Sequence, residues 1–334
     1  MISRRRALQT TLSALATVST AGAAFAQAKP PVKIRYSEVV RSLLFAPAYA
    51  ALANGIFRDA GLDVTMTTAQ GGDKAMAALL GGSADIALIG PETAIYVLGS
   101  DSPTKARIFC GLTATDGYLL VARQKVDKFD WRMLKGREVM GWRPGSTPLL
   151  YLEAAMRLNG LDPAKDVRLN NNVAVPARAG AWLSGQGDFA IFGEPDAAQL
   201  ELDGKAHVVV SVGQTVGFVD YTVFMATDPY IRDNPGVLQS WTGAIAKAEA
   251  WTAGAPAAEL AHTLAPFFPG VSAVALGAGI ERYRRLGIWK SSPAIAPEAI
   301  EKFQDILVQG HVLEPARRVK YADVVLDRFT ANLK

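Results

Sequence analysis

The sequence predicts an α/β fold built from two lobes of similar plan. Short apolar stretches alternate with amphipathic stretches over residues 32–98 and again over residues 138–212, which is typical of strands joined by crossover helices. The segments at 86–89 and 189–192 have few polar interruptions, as buried parallel strands do. Residues 80–90 also share Leu, Gly, Asp, Ala and Gly with residues 183–193 at a constant offset, which indicates an internal repeat.

The first half of the pattern gives three strands and three helices. Strands are predicted at 32–36, 62–67 and 86–89. Pro47 suits the first turn of a helix that runs to residue 57. Asp73 is predicted as the N-cap of a helix over 74–80, although a ligand contact is the open alternative. Residues 90–92 begin another helix.

The second half repeats this scheme. Strands are predicted at 138–142, 167–170, 189–192 and 207–212, with helices at 145–159, 178–183 and from 194 onward. After Thr227 the apolar spacing is helical, at 235–253, 272–286 and 297–308. The last third of the chain is therefore predicted to be helical.

Residues 1–26 are typical of a secretory signal, with Arg4, Arg5 and Arg6 before an apolar stretch and an Ala-x-Ala end at Ala26. The paired arginines resemble a twin-arginine signal, and a general-secretion signal is the alternative. The chain has a formal charge of +4, but the leader carries three arginines and no acid, so about +1 remains afterwards. Basicity therefore gives no reason to expect a nucleic-acid partner.

Composition also argues against several classes of enzyme. The one cysteine, Cys110, lies in an apolar stretch and is expected to be a buried small side chain. His207, His262 and His311 have no metal-ligand spacing, and neither a nucleophile elbow nor a phosphate-binding glycine loop occurs. We therefore expect no catalytic residue, no metal and no cofactor.

The loops that follow the predicted strands form two sets, one in each half. Ligands of open α/β sheets bind beyond the carboxyl ends of the strands, where helix N-termini offer free N–H groups. Small donors at 145–147 suit an anion, whereas Glu92 and Glu194 suit an amine or an aminopyrimidine. The candidate ligand-binding residues are Ser42, Leu43, Phe45, Gly72, Asp73, Glu92, Thr93, Arg143, Gly145, Ser146, Thr147, Asn172, Glu194 and Tyr221.

Residues 45–57 with 60–64 resemble the first helix and second strand of the nitrate/sulfonate/taurine (thiamine-pyrimidine-like) family, whose members are solute-binding proteins of ABC importers. Residues 79–87 resemble the second signature of that family. Residues 145–160 and 193–195 also fit. The resemblance implies a type II periplasmic binding-protein fold with a ligand cleft between two α/β lobes.

The same resemblance implies where the lobes begin and end. Residues 29–120 with 220–334 are expected to form the first lobe and residues 121–219 the second, with crossings near 119–123 and 212–221. The C-terminal helices are expected to pack on the first lobe. Two crossings of this kind would let the lobes close over a ligand.

The implied function is that of a periplasmic receptor that passes a small solute to an ABC permease and ATPase. A sulfonate, nitrate, carboxylate or related anion is the expected solute. A thiamine-precursor-like heterocycle or an amine is the alternative, as is a role as an exported ligand sensor. A monomer is expected. Some enzymes share this architecture, but thiamine-pyrimidine synthases carry a cysteine-rich segment that is absent here.

Overall fold

The computed structural model describes residues 30–333, and the predicted leader, residues 1–26, lies outside them. The first of two five-stranded sheets contains β1 (Val32–Glu38), β2 (Leu62–Thr68), β3 (Ile86–Ile89), β4 (Ala106–Thr113) and β10 (Thr222–Thr227). The order of these strands is β2-β1-β3-β10-β4. Strand β1 is parallel to β2 and β3, whereas β10 is antiparallel to β3 and β4.

The second sheet contains β5 (Leu119–Ala122), β6 (Glu138–Met140), β7 (Arg168–Asn170), β8 (Phe189–Phe192) and β9 (His207–Ser211). The order of these strands is β7-β6-β8-β5-β9. Strand β6 is parallel to β7 and β8, and β5 is antiparallel to β8 and β9.

The two sheets have the same topology, which confirms the internal repeat. In each, three parallel strands are followed by one antiparallel strand inserted from elsewhere in the chain and then by an edge strand. The equivalent strands β3 and β8 are completely buried, as their uninterrupted apolar sequences predict. Residues 119–123, expected as a crossing, instead contribute β5, because their apolar side chains fill a central position of the second sheet. The two connections between the sheets are residues 114–118 and 212–221.

The helices cover the faces of both sheets. Their bounds are α1 (Ala46–Ala53), α2 (Ile56–Asp59), α3 (Gly72–Leu80), α4 (Glu92–Leu98), α5 (Thr147–Leu158), α6 (Arg178–Leu183), α7 (Asp196–Leu202), α8 (Val212–Val216), α9 (Asp228–Asp233), α10 (Pro235–Gly254), α11 (Ala257–Leu264), α12 (Ala273–Arg285), α13 (Pro297–Gln309), α14 (Tyr321–Val324) and α15 (Arg328–Ala331). No helix within residues 30–333 is both long enough and apolar enough to cross a membrane.

Two predicted elements end earlier than the sequence pattern indicates. The helix expected to reach residue 57 is divided into α1 and α2 at Gly55, whose φ of 71° is left-handed and interrupts the helix. The strand expected over 138–142 ends at Met140. Trp142 is therefore not part of β6, and its side chain borders the space between the sheets.

The C-terminal helices pack on the first sheet and also contact helices beside the second sheet. Helix α10 lies against α1 and β4, and the buried Trp241 contacts the rings of Tyr36, Phe57 and Phe224. Helix α12 contacts α7, and α13 contacts α5. Cys110 is fully buried in β4, as predicted.

Candidate functional site

A cleft lies between the two sheets and is bordered by residues of both. Its first part encloses about 560 Å³, including the space at its mouth, and its second part about 480 Å³. Both parts are bordered by Val40, Tyr118, Trp142 and Val175, so they are adjacent parts of one cleft. Small-molecule sites commonly lie in clefts of this kind, between two structural units.

Glu92 is a buried acid that borders the first part of the cleft. It begins α4 directly after β3 and is only 5% exposed. Burial raises the pKa of the Glu92 carboxyl to about 7, although the hydroxyl and backbone N–H of Thr147 in the opposite half oppose that rise. One carboxylate oxygen, Oε2, is buried without a hydrogen-bond partner. Glu92 is thus a poorly compensated acid within the cleft.

Gly90 makes this close approach of the two halves sterically possible. A Cβ atom at residue 90 would overlap both the Glu92 carboxylate and the Thr147 hydroxyl. Thr147 begins α5, so its hydroxyl belongs to the half opposite Glu92. A larger residue at position 90 would therefore displace the Glu92 carboxylate and the Thr147 hydroxyl and disturb the contact between the two halves.

Aromatic rings form the wall that the two parts of the cleft share. The rings of Tyr118 and Trp142 are 5.0 Å apart between centroids. The Arg178 guanidinium lies over the Trp142 ring at 4.2 Å and 5.7 Å from the Phe192 ring centroid. This wall offers aromatic surface to a planar or apolar ligand group.

Arg178 is a charged residue of the cleft that no sequence pattern predicted. It is 4% exposed and borders the second part of the cleft. Its Nη2 donates to the carbonyl of Ile191 at 2.9 Å, whereas its Nε is buried without a partner. Burial lowers the pKa of the Arg178 guanidinium to about 10, so it stays charged at neutral pH. Its position in α6 gave no sign of this role, because only the fold brings α6 beside Trp142.

Asp73 and Arg143 form an ion pair at the mouth of the cleft, with 3.0 Å between Arg143 Nη2 and Asp73 Oδ1. The prediction that Asp73 caps its helix is wrong, because Gly71 occupies the N-cap position and Asp73 lies within the first turn. Nearby, the Tyr96 hydroxyl donates to the carbonyl of Gly145 at 3.3 Å. Both contacts join α3 or α4 of the first half to the segment that precedes α5.

Glu194 lies at the opposite end of the cleft and is already paired. Arg282 Nη1 is 2.7 Å from its Oε1, and the Ala198 N–H donates to its Oε2 at 2.9 Å. Burial raises the pKa of the Glu194 carboxyl to about 7 against the opposing charge of Arg282. The Leu43 N–H donates to the Glu194 carbonyl at 3.0 Å, and the Ser42 hydroxyl accepts from the Leu44 N–H. These contacts fix the loop before α1 against the second half.

A further buried acid lies in the first connection between the sheets. Asp116 accepts from the Tyr118 N–H at 2.9 Å, and burial raises the pKa of its carboxyl to about 8. Tyr221, in the second connection, borders the cleft and packs edge-on against Tyr151 at 5.1 Å. The predicted stacking residue therefore packs on protein as well as bordering the cleft.

Most of the candidate residues border the cleft. Those that do are Ser42, Phe45, Gly72, Glu92, Arg143, Ser146, Thr147, Glu194 and Tyr221.

The other five candidate residues border neither part of the cleft, namely Leu43, Asp73, Thr93, Gly145 and Asn172. Leu43 is buried, and its carbonyl accepts from Trp289 Nε1. The Thr93 hydroxyl donates to the Gly90 carbonyl, and Asn172 is exposed. Within residues 30–333, no three His, Cys, Asp or Glu side chains converge as metal ligands would.

Solved structures of solute-binding proteins share this fold. The alkanesulfonate-binding protein SsuA from Xanthomonas axonopodis pv. citri, bound to MOPS, superposes with a TM-score of 0.73 at 18% identity and covers 90% of this chain and 100% of its own. The periplasmic nitrate-binding protein NrtA from Synechocystis PCC 6803 gives 0.74 at 16% identity, with 90% and 87% covered. The desulfurization enzyme DSZB also superposes, with a TM-score of 0.63 at 17% identity over 90% of this chain and 98% of its own. These likenesses confirm the predicted two-lobed fold, which binding proteins and at least one enzyme share.

Sequence comparison gives the family. The putative binding protein YtlA of Bacillus subtilis is 36% identical over 285 residues, which are 85% of each chain. The family model described as NMT1/THI5 like matches residues 43–259. Both findings agree with the resemblance inferred from residues 45–64 and 79–87. The chain is therefore a member of the NMT1/THI5-like family and has the two-lobed fold of periplasmic binding proteins.

Proposed function

We propose that this protein is an exported receptor that binds a small solute in the cleft and delivers it to an ABC permease and ATPase. Its membership of a family that contains binding proteins supports this role, as does a cleft bordered by both halves. The basic and apolar residues 1–26 support export to the periplasm, by the twin-arginine route. Replacing Arg4 and Arg5 with lysine should then block export, and unchanged export would leave only the general route.

The observation that carries the ligand proposal is the buried Glu92 carboxylate with an unpartnered oxygen. A buried carboxylate without a cation is unfavourable, so the acid either holds a proton, as its raised pKa shows, or takes a donor from a ligand. An amine, an amidine or the amino group of a heterocycle can donate to Oε2 and compensate its charge. We therefore propose that a nitrogen donor of the solute contacts Glu92.

The predicted anion site at residues 145–147 is less favourable at this position. The Thr147 hydroxyl and N–H face the Glu92 carboxylate, and the Ser146 hydroxyl donates to the Arg143 carbonyl at 2.5 Å. An anion placed beside these groups would meet a second negative charge. The N-terminus of α5 thus faces the protein's own carboxylate and compensates it only in part, since burial still raises the pKa of Glu92 to about 7, and this favours the amine or heterocycle alternative.

Contacts across the cleft support a clamp mechanism. The Asp73–Arg143 pair, the Tyr96–Gly145 hydrogen bond and the approach of Glu92 to Thr147 all join the two halves. A ligand that contacts both halves stabilises the closed state, because only that state makes all of its contacts. We propose that closure marks the loaded receptor for the permease.

We also propose that the solute is bound without chemical change. Cys110 is buried in β4 and does not border the cleft, so it cannot serve there as a nucleophile. Among the acids of the cleft, Glu194 is paired with Arg282, and Glu92 faces the N-terminus of α5. Recovery of unaltered ligand from the complex would support this, and release of a product would contradict it.

A thermal-shift screen of amines and amino-heterocycles tests the ligand proposal. Ligand at 100 times its Kd should stabilise the protein by about 2.7 kcal/mol. Glu92→Gln should abolish the shift, because it removes the charge but keeps the shape. Glu153→Gln is the matched control, since that carboxylate pairs with Arg157 and does not border the cleft. Equal shifts in wild type and Glu92→Gln would refute the assignment of Glu92.

A further inference from the structure

The charged side chains around the cleft are mostly paired with one another. Arg41 Nε lies 3.0 Å from Glu38 Oε1, and Arg143 is paired with Asp73 at the mouth. Glu194 is paired with Arg282. These groups therefore have their charge compensated within the protein before any ligand arrives.

Glu92 and Arg178 are the buried exceptions, because Asp196 also lacks an ion pair but is exposed. Among the described residues, no basic nitrogen lies within 4.0 Å of the Glu92 carboxylate, and no carboxylate lies within 4.0 Å of the Arg178 guanidinium. Glu92 borders only the first part of the cleft and Arg178 only the second, so the two do not compensate each other. The cleft thus has an unpaired acid in one part and an unpaired base in the other.

The position of Arg178 is fixed by the protein. Its guanidinium lies against Trp142, and Nη2 donates to the Ile191 carbonyl, which leaves Nε buried without a partner. Asp196 borders the same part of the cleft, and its negative charge favours the charged form of the Arg178 guanidinium. Asp196 is exposed to solvent, however, and does not lie within ion-pair distance of Arg178. A fixed, buried guanidinium with an unused donor is suited to binding a carboxylate, sulfonate or phosphate.

Burying two unpaired charges is unfavourable for folding, and perturbed charges of this kind cluster at functional sites. The two parts share Val40, Tyr118, Trp142 and Val175, so one molecule can contact both. Building on the proposed role of Glu92, we infer that the solute is a zwitterion. Its cationic nitrogen binds Glu92, its anionic group binds Arg178, and an apolar or planar middle lies along Trp142.

Matched sets of small molecules test this inference. One set is para-(aminomethyl)benzoate, para-methylbenzylamine and para-methylbenzoate, and a second is aminopentanoate with pentylamine and pentanoate. Each set keeps one scaffold and presents both charges, the cation alone or the anion alone. In at least one set, the zwitterion should bind about tenfold or more tightly than either singly charged analogue, since each charged hydrogen bond contributes at least that factor.

Variants of Arg178 then separate a ligand contact from a structural role. Arg178→Gln should reduce the affinity for the zwitterion to that for its amine analogue, while the affinity for the amine analogue stays unchanged. Arg178→Lys should restore part of the difference, because it keeps the charge. Structural damage would instead weaken both molecules equally, and that result would overturn the role of Arg178.

The outcomes also separate this inference from the proposed function. An amine that binds as tightly as its zwitterion would refute the zwitterion inference and leave the receptor with its Glu92 contact intact. Tight binding of the anion alone, unaffected by Glu92→Gln, would refute both ligand assignments. Absence of binding by every zwitterion in both sets would refute the inference, and a wider amine screen would then decide the proposed function.

Discussion

Replacing Glu92 with glutamine should stabilise the ligand-free protein at alkaline pH. The pKa of this carboxyl is about 7 in the folded protein, against an ordinary value of 4.5. Between these values the folded state holds the proton more tightly than the unfolded chain, so stability falls as pH rises from 4.5 to 7. The loss is complete above pH 7 and reaches about 3 kcal/mol, because each pH unit between the two pKa values costs ~1.4 kcal/mol.

Glutamine has a similar shape and no proton to lose, so the variant should escape this loss. Urea denaturation followed by tryptophan fluorescence would give the free energy of unfolding of both proteins at pH 4 and at pH 8. The advantage of the variant should be about 3 kcal/mol larger at pH 8 than at pH 4. Asp116 and Glu249, whose pKa values burial also raises, are common to both proteins and cancel in the difference.

Glu153→Gln provides the comparison for this experiment. It removes a carboxylate that pairs with Arg157 outside the cleft, so no alkaline gain should follow. If the free energies of unfolding of wild type and Glu92→Gln differ by the same amount at pH 4 and at pH 8, the reasoning is refuted. It would mean that the Glu92 carboxylate is already compensated within the protein and needs no nitrogen donor from a ligand. A stabilising substitution that removes ligand binding is the usual sign of a residue kept for function.

Three further predictions concern ligand binding and closure. Affinity for a cationic ligand should fall by up to about tenfold for each pH unit below 7 and level off above it, and a flat calorimetric profile would contradict ionised Glu92 as its partner. Gly90→Ala should prevent full closure, so that scattering shows no compaction with ligand, whereas Gly243→Ala, with open space around its Cβ, should close normally. Asp73→Arg and Arg143→Asp should each speed ligand dissociation, and by no more than about fivefold, because a partly exposed ion pair contributes little. Making both changes restores an ion pair and should restore the rate. A rate that is not restored would mean that the pair has no role in closure.

The division of the molecule into two lobes of similar plan could be predicted from the sequence, because it depends on local patterns. Residues 86–89 and 189–192 are apolar throughout, and burial on both faces of a central strand requires this wherever the strand lies in the chain. The shared Leu, Gly and Asp positions before them encode the same helix–turn–strand geometry twice. Those same patterns carried the resemblance to the family, and therefore most of the functional conclusion.

The sequence identified Glu92 and Thr147 as candidates for a general reason, because loops after parallel strands meet at one edge of a sheet. It did not predict that the two would face each other. The sequence around Asp73 describes only its own helix, so a capping role was the natural expectation there. Its actual partner, Arg143, is 70 positions away and belongs to the opposite half.

The charged group in the second part of the cleft, Arg178, could be recognised only from the tertiary structure. Trp142 follows a strand that ends two residues early, and Arg178 lies in a short helix with no distinctive pattern. The ring and the guanidinium meet because α6 packs beside the end of β6, a contact that no local periodicity records. Whether a buried charge is compensated depends on every group around it in three dimensions, and this is why the sequence suggested the acid of the cleft but not the unpaired base.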